Sequence, residues 1–312
     1  MKTQPTGPYS NLSRLKLFWA LSRTPHGLID MATPALGALL WLGRFPSFEV
    51  IIIGLITTFA GYTAVYALND VIDYGVDKEK IRLYGKLDIK CDIDAVMVRH
   101  PMAQGCLSFK EGLLWTVAWS IVAILGAYRL NSICVIIFII GCSLETIYCL
   151  LLKVSYLRTL VSGCVKTMGA VAGVFAVDPN PSPLFLLMVF FWLFLWEIGG
   201  QNVPNDWTDI DEDRCLHAQT IPVRLGPDQA NVIILVTLII AVILSIVVFY
   251  FSPISFEFPY VAASVSTGLC FFVLPASLLY KTKEPPYAMA LFNMASYYPL
   301  AMLVIVVFKL VI

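Results

Sequence analysis

Two short stretches of the chain carry one arrangement of oxygen-bearing side chains. The first reads Asn69-Asp70-Val71-Ile72-Asp73-Tyr74-Gly75-Val76-Asp77, and the second reads Asn205-Asp206-Trp207-Thr208-Asp209-Ile210-Asp211-Glu212-Asp213. Both contain the pattern N-x-x-x-D-x-x-x-D. In a helix, positions i, i+4 and i+8 lie in one stripe, so Asn69, Asp73 and Asp77 point one way, as do Asn205, Asp209 and Asp213. Stacked carboxylates repel one another unless a cation sits among them. Oxygen-only ligands suit Mg2+, which is usually held by one or two carboxylates with waters and substrate phosphates. Two such stripes on one face would hold two Mg2+ ions on either side of a diphosphate. Neutralising its charge makes it a leaving group. The same carboxylates would equally serve to coordinate a transported cation.

The elements that must position these stripes are apolar. The chain has 312 residues, of which 59% are hydrophobic and 13% charged, against about 25% charged in soluble domains. Its mean hydropathy is +0.80. A water-soluble fold has too little interior to hide that surface, which excludes disorder, a nucleic-acid partner and nearly every soluble enzyme. Nine segments are apolar over the length of a transmembrane helix, at 26–43, 48–68, 112–129, 132–152, 158–178, 184–203, 230–251, 258–280 and 289–310. The runs are continuous rather than alternating, so a β-barrel is excluded. The expected fold is an all-α, polytopic membrane bundle of nine transmembrane helices, with residues 1–312 as one domain. The connections 69–111 and 204–229 are long and polar, and each contains one acidic motif. They follow the second and sixth spans, which hints at an internal repeat.

Lys and Arg placement sets the expected orientation. With the N-terminus in the cytoplasm, 17 of the 21 basic residues fall inside and only Arg44, Arg129 and Lys309 fall outside. Both acidic loops are then cytoplasmic. Lys166 lies within a span, as do Glu145 and Glu197, and an ionisable group at membrane depth is a functional candidate by default. Lys166 is expected to face a diphosphate or to pair with Glu145 or Glu197. Most of the eight cysteines sit inside apolar runs, and no C-x-x-C pair occurs, so neither a disulfide framework nor a zinc site is expected. The polar N-terminus reads without a cleaved signal peptide. The three histidines, His26, His100 and His217, form no local cluster and are expected to have no catalytic role.

At these motifs the chain resembles the UbiA-type intramembrane aromatic prenyltransferases. ALNDVIDYGVD is similar to their first Asp-rich motif, and NDWTDIDEDRCLHAQTIPVRLG is similar to their second. The resemblance implies a helical bundle around a central cavity that binds a polyprenyl diphosphate through Mg2+. The prenyl tail would lie in a channel open to membrane lipid, and ionisation would give an allylic carbocation for an electron-rich acceptor to attack. Residue by residue, it implies metal ligation by Asn69, Asp73 and Asp77, and by Asp209 and Asp213. Asn205 lies one turn earlier, and Asp206, beside that stripe, is the alternative to it as a ligand. It also implies diphosphate contacts from Arg23, before Thr24-Pro25, and from Lys153, with Tyr148 at the matching spacing. The chain departs from the family after Asp77. An additional charged segment, Lys78 to Val98, precedes Arg99-His100-Pro101, so the Arg is displaced by one residue from the Pro.

The expected function is Mg2+-dependent transfer of a prenyl group to an aromatic quinone precursor or other lipid precursor. The alternative is a cation-coupled transporter using the acidic loops. Motifs at span ends, rather than at the midplane, favour the enzyme. The motif of a CDP-alcohol phosphotransferase is absent. The loop from Lys78 to Lys110, rich in basic residues, is expected to close over the cavity when diphosphate and Mg2+ bind, with Arg99 reaching the diphosphate.

Overall fold

A computed structural model describes residues 13–84, 93–94 and 97–312. Among them eight helices are long and apolar enough to cross a membrane. These are α4 (Phe48–Ile72), α6 (Phe109–Leu130), α7 (Ser132–Leu150), α8 (Arg158–Val177), the helical run Pro183–Thr208, α13 (Pro227–Phe251), the run Phe258–Thr282, and α16 (Pro285–Val311). Their starts are written in the sequence. Ser47 accepts the backbone N–H of Val50 and Asn131 accepts that of Ile133, while Ser108 and Glu111 form a reciprocal capping box. Leu114, Ile121 and Leu125 are exposed on α6, the face that acyl chains would cover. Lipid is as apolar as leucine, so the helices adhere by close packing rather than by hiding from water. At the contact of α8 with α3 (Ala32–Leu42), a Cβ on Gly173 would stand 2.1 Å from the carbonyl oxygen of Pro34.

The first apolar segment corrects the expected count of nine continuous spans. It is two helices, α2 (Thr24–Asp30) and α3, with a break at Met31. Pro34 has no N–H to offer the carbonyl of Asp30. The Thr33 hydroxyl donates to that carbonyl instead, at 3.0 Å. The break leaves the buried Asp30 carboxylate at the joint, on a segment whose hydropathy reads as continuous.

Two hydrophobic clusters position the site. The larger joins the second half of the bundle around Trp192, Trp196, Phe272 and Tyr298. The smaller packs Val98, Met102 and Leu107 against Leu17 and Leu21 of α1 (Arg14–Leu21) and Val71 of α4. Full burial of a Val or Met side chain is worth about 2 kcal/mol. This cluster holds the end of the first polar loop beside the first acidic motif. Positions 85–92 of the additional segment, including Lys86, Lys90 and Cys91, lie outside the described residues.

Candidate active site

Each acidic motif bends at its middle aspartate. α4 ends at Ile72, Asp73 is its cap, and α5 (Tyr74–Tyr84) leads away. In the second motif, α10 (Val203–Thr208) ends before Asp209, and α11 (Ile210–Cys215) follows. The i→i+4 backbone bonds survive the first bend, whereas at the second the Asp209 N–H turns to the carbonyl of Trp207. Asp73 N–H donates to Asn69 at 2.9 Å and Asp77 N–H to Asp73 at 2.8 Å, and Asp213 N–H donates to Asp209 at 2.8 Å. Asn69, Asp73 and Asp77 therefore line one cavity, together with Asn205, Asp206, Asp209 and Asp213. The cavity has a volume of about 630 Å³.

Around the first motif, the Nη2 of Arg23 donates to Asn69 Oδ1 at 3.1 Å and to Asp70 Oδ1 at 3.4 Å. Asn69 passes its own Nδ2–H to Glu145 Oε1 at 2.7 Å. His100 Nδ1 lies 2.8 Å from Asp77 Oδ2 and 3.4 Å from Asp70 Oδ1. Arg23 and His100 both adopt left-handed backbone, φ 43° and 49°, a strain of about 1 kcal/mol or more for a side-chain-bearing residue. Both strained residues meet Asp70. Burial would push the Asp77 carboxyl up, but His100 outweighs it and holds it below the usual carboxylate range. His100 is raised in turn: burial opposes its charge, and Asp77 and Asp70 overcome that. Asp73 has no ion pair within 4 Å among the described residues, and burial with Asp77 nearby pushes it up to about 6 against the pull of Arg158.

Permanent cations meet the second motif. Arg99 donates to Asp209 Oδ2 at 3.1 Å and to Glu212 at 3.3 Å. Lys80 Nζ stands 3.6 Å from Glu212 and 3.9 Å from both Asp209 and Asp213. Arg158 donates to Asp206 Oδ1 at 3.5 Å and lies 3.9 Å over the Tyr148 ring. Consecutive residues of one loop thus bridge the two motifs, His100 on the first and Arg99 on the second.

Below the motifs the cavity becomes apolar. Ala38, Val50, Ile51, Ala127, Ile137 and Phe138 line it from α3, α4, α6 and α7. Between the acidic mouth and this channel, the run Pro183–Thr208 contains one π-helical segment, Glu197–Asn202. A Cβ at Gly199 would stand 2.2 Å from Thr237 Oγ1, so that position admits only glycine without a shift of α13. π-Segments are frequent at functional sites. This one brings Glu197, Gln201 and Asn202 to the cavity wall.

Arg23, Asn69, Tyr148, Lys166, Arg99 and all the expected carboxylates line the cavity. Lys153 does not. Its Nζ pairs with Glu79 at 2.7 Å on the surface. Arg158, at the start of α8, reaches the buried position instead. Lys166 pairs with neither Glu145 nor Glu197. It donates to Asp30 Oδ2 at 2.6 Å and to the Tyr66 hydroxyl at 2.8 Å, and Tyr66 also donates to Asp30. His26 and His100, given no role from sequence, both line the cavity. Asp70, Asp77 and His100 offer ligand atoms within 4.8 Å of one another. Asp70 was findable: it lies seven residues before Asp77, two turns along the same face. Asp30 and Lys80 left no local signal.

The chemistry of this donor set suits a hard divalent cation. It is rich in carboxylate oxygens, and Oδ2 of Asp206 is buried without a hydrogen-bond partner among the described residues. In this helical membrane bundle an acidic, cation-bridged mouth thus opens over an apolar channel. Residues 31–297 match the UbiA prenyltransferase family, and the chain belongs to that family. It is similar to a 4-hydroxybenzoate octaprenyltransferase of Aliivibrio fischeri (strain MJ11), 24% identical over 75% of this chain and 77% of the relative. It is also similar to a digeranylgeranylglyceryl phosphate synthase of Methanosarcina mazei, 26% identical over 68% of this chain and 72% of the relative. A UbiA homolog from Archaeoglobus fulgidus, solved bound to DMAPP and Mg2+, has the same fold, with a TM-score of 0.64 at 17% identity over 91% of this chain and 98% of its own. The chain is therefore a prenyltransferase and an integral membrane protein.

Proposed function

We propose that the chain transfers a prenyl group from a polyprenyl diphosphate to an aromatic quinone precursor or other lipid precursor, and that the transfer depends on Mg2+. The observation that carries this reading is the convergence of both acidic motifs on the mouth of one cavity whose depth is apolar. In this reading residues 1–312 act as one catalytic domain, and the Lys and Arg bias supports an orientation with the N-terminus and both acidic loops in the cytoplasm. Asn69, Asp70, Asp73 and Asp77 on one side, and Asn205, Asp206, Asp209 and Asp213 on the other, would hold Mg2+. Bound there, it supplies charge neutralisation for the diphosphate.

The chain's own cations do the rest. Arg23 and Arg99 bind the diphosphate oxygens from the mouth, with Lys80 beside Arg99. Arg158, stacked on Tyr148, keeps Asp206 oriented. The channel wall takes the prenyl tail and excludes water from the allylic cation. Segment 97–107, held at Val98 and Met102, keeps Arg99 and His100 at the mouth, where they exchange carboxylates for diphosphate and metal on binding. One relative is named for 4-hydroxybenzoate and another for making digeranylgeranylglyceryl phosphate, so an aromatic ring and a phosphorylated lipid are the acceptor classes among these relatives. The comparisons lend no support to a cation-coupled transporter. The test is release of diphosphate from a prenyl diphosphate by purified protein, expected only with Mg2+. Release that persists in a chelator would overturn the metal role.

A further inference from the structure

The diphosphate chemistry leaves two buried carboxylates of the cavity unused: Glu145, which accepts from Asn69, and Glu197. Glu197 opens the π-segment, is 3% exposed and lines the cavity. Its Oε1 accepts the Ser162 hydroxyl at 2.6 Å. Its Oε2 is buried and has no hydrogen-bond partner among the described residues. At the end of the same segment, Asn202 gives its Nδ2–H to the Tyr148 hydroxyl at 3.0 Å, and its Oδ1 is likewise buried without a partner. Both unmatched atoms accept hydrogen bonds. A buried acceptor without a donor costs about 1–3 kcal/mol, which a ligand bringing donors would recover.

The charge at this depth points the same way. Glu145, Glu197 and Asp30 stand here around Lys166, whose ammonium is already taken by Asp30 and Tyr66. His26 lies 3.8 Å from Asp30, and Arg23 and Arg158, which also act on Glu145, are themselves held by Asp70 and Asp206. An anionic acceptor would lose its hydration and meet carboxylates. Glu197 is eight residues before Asn205, roughly 12 Å along a helix axis. That separation leaves room for one ring between the carboxylate and a diphosphate at the mouth.

We propose that Glu197 accepts the proton released by an uncharged, hydrogen-bond-donating acceptor of the phenol class, and that this wall rejects acceptors bearing a carboxylate or phosphate. The inference rests on the prenyl-transfer reading above. In the transfer, the bond between prenyl C1 and the diphosphate oxygen breaks, and diphosphate leaves with the electron pair. An electron pair of the acceptor forms the new bond to C1. The hydrogen that the acceptor loses passes as a proton to Oε2 of Glu197.

The test uses full-length protein in lipid nanodiscs with geranylgeranyl diphosphate and Mg2+. Methyl 4-hydroxybenzoate and 4-hydroxybenzoate serve as a matched pair, with one ring and one phenol, differing in the charge of the carboxyl group. The ester is expected to be prenylated with a kcat/KM at least about tenfold above that of the acid. Glu197→Gln should lower kcat with the ester by about a hundredfold, the scale of general-base catalysis. Its Mg2+-dependent binding of geranylgeranyl diphosphate should match that of the unmodified protein, which also reports an intact fold. Glu197→Asp, which keeps a carboxylate, should restore part of kcat. Preference for the acid, no product from the ester, or an unchanged kcat in Glu197→Gln would each overturn the proposal. Failure of geranylgeranyl diphosphate to bind with Mg2+ is a different result: it removes the prenyl-transfer reading, and this inference with it.

Discussion

The two acidic motifs carry the same residue types at the same spacing, yet the fold surrounds them with different counter-charges. Asp70 and Asp77 of the first face the imidazole of His100, with Arg23 also on Asp70. Asp206, Asp209 and Asp213 of the second face Arg158, Arg99 and Lys80. An imidazole releases its proton within the range a cell visits, whereas guanidinium and ammonium groups do not. A metal entering the first site therefore competes with a titratable group as well as with Arg23, and one entering the second must displace permanent cations alone. Equal sequence patterns thus give two sites with unequal pH dependence.

The largest expected effect removes the feature the motifs share. Asp73→Asn and Asp209→Asn keep shape and lose charge, so each should lower turnover by about a thousandfold. Diphosphate release at limiting Mg2+ checks this. Near-normal release in one variant alone would mean that only the other motif holds metal.

Arg158→Ala probes the second motif's permanent charge. It strands Asp206, which is 5% exposed, and breaking such a buried pair costs about 3 kcal/mol. Thermal unfolding of the detergent-solubilised protein should show a clear loss. A variant as stable as its parent would show that Asp206 relaxes into water.

Mg2+ affinity should fall as pH drops below about 6, because Asp73 must be ionised to bind metal. Each further unit costs roughly tenfold. Asp73→Asn should flatten that profile, and a profile equally steep in the variant would assign the proton elsewhere.

Arg99→Ala should weaken prenyl diphosphate binding by about tenfold, the scale of one charge-assisted contact. Lys153→Ala should change it little, because Lys153 is exposed and pairs with Glu79. Equal losses in both would put the diphosphate elsewhere than under Arg99.

The smallest effect separates the motifs by stability in metal-free protein. His100 is raised above its ordinary value, so its pairing with Asp77 stabilises fully below about pH 6.5 and is lost as pH rises through the raised value. Asp77 is depressed, so its share is present above the ordinary carboxylate range and lost as acid reaches the lowered value. His100→Gln should therefore differ most from its parent in the weakly acidic range, and the difference should shrink in alkali. A pH-independent difference would make His100 a packing residue only.

Much of this enzyme is legible in its amino-acid sequence. Helix periodicity puts Asn69, Asp73 and Asp77 on one face, and Asn205, Asp209 and Asp213 on another, whatever surrounds them. Runs of apolar residues long enough to cross a bilayer leave a helical bundle as the available fold. Tertiary structure decided what meets those faces. Arg158, Lys80 and His100 reach the carboxylates from other helices and from a loop pinned by Val98 and Met102. Asp30 pairs with Lys166 across 136 positions of sequence, and it was hidden because hydropathy averages over a window and does not see a break at Met31. Lys153 matches a family spacing, but it ends on the surface. Spacing along a helix is set by local backbone geometry. The partner of a buried charge is set by which helices touch, and that depends on packing summed over the whole bundle.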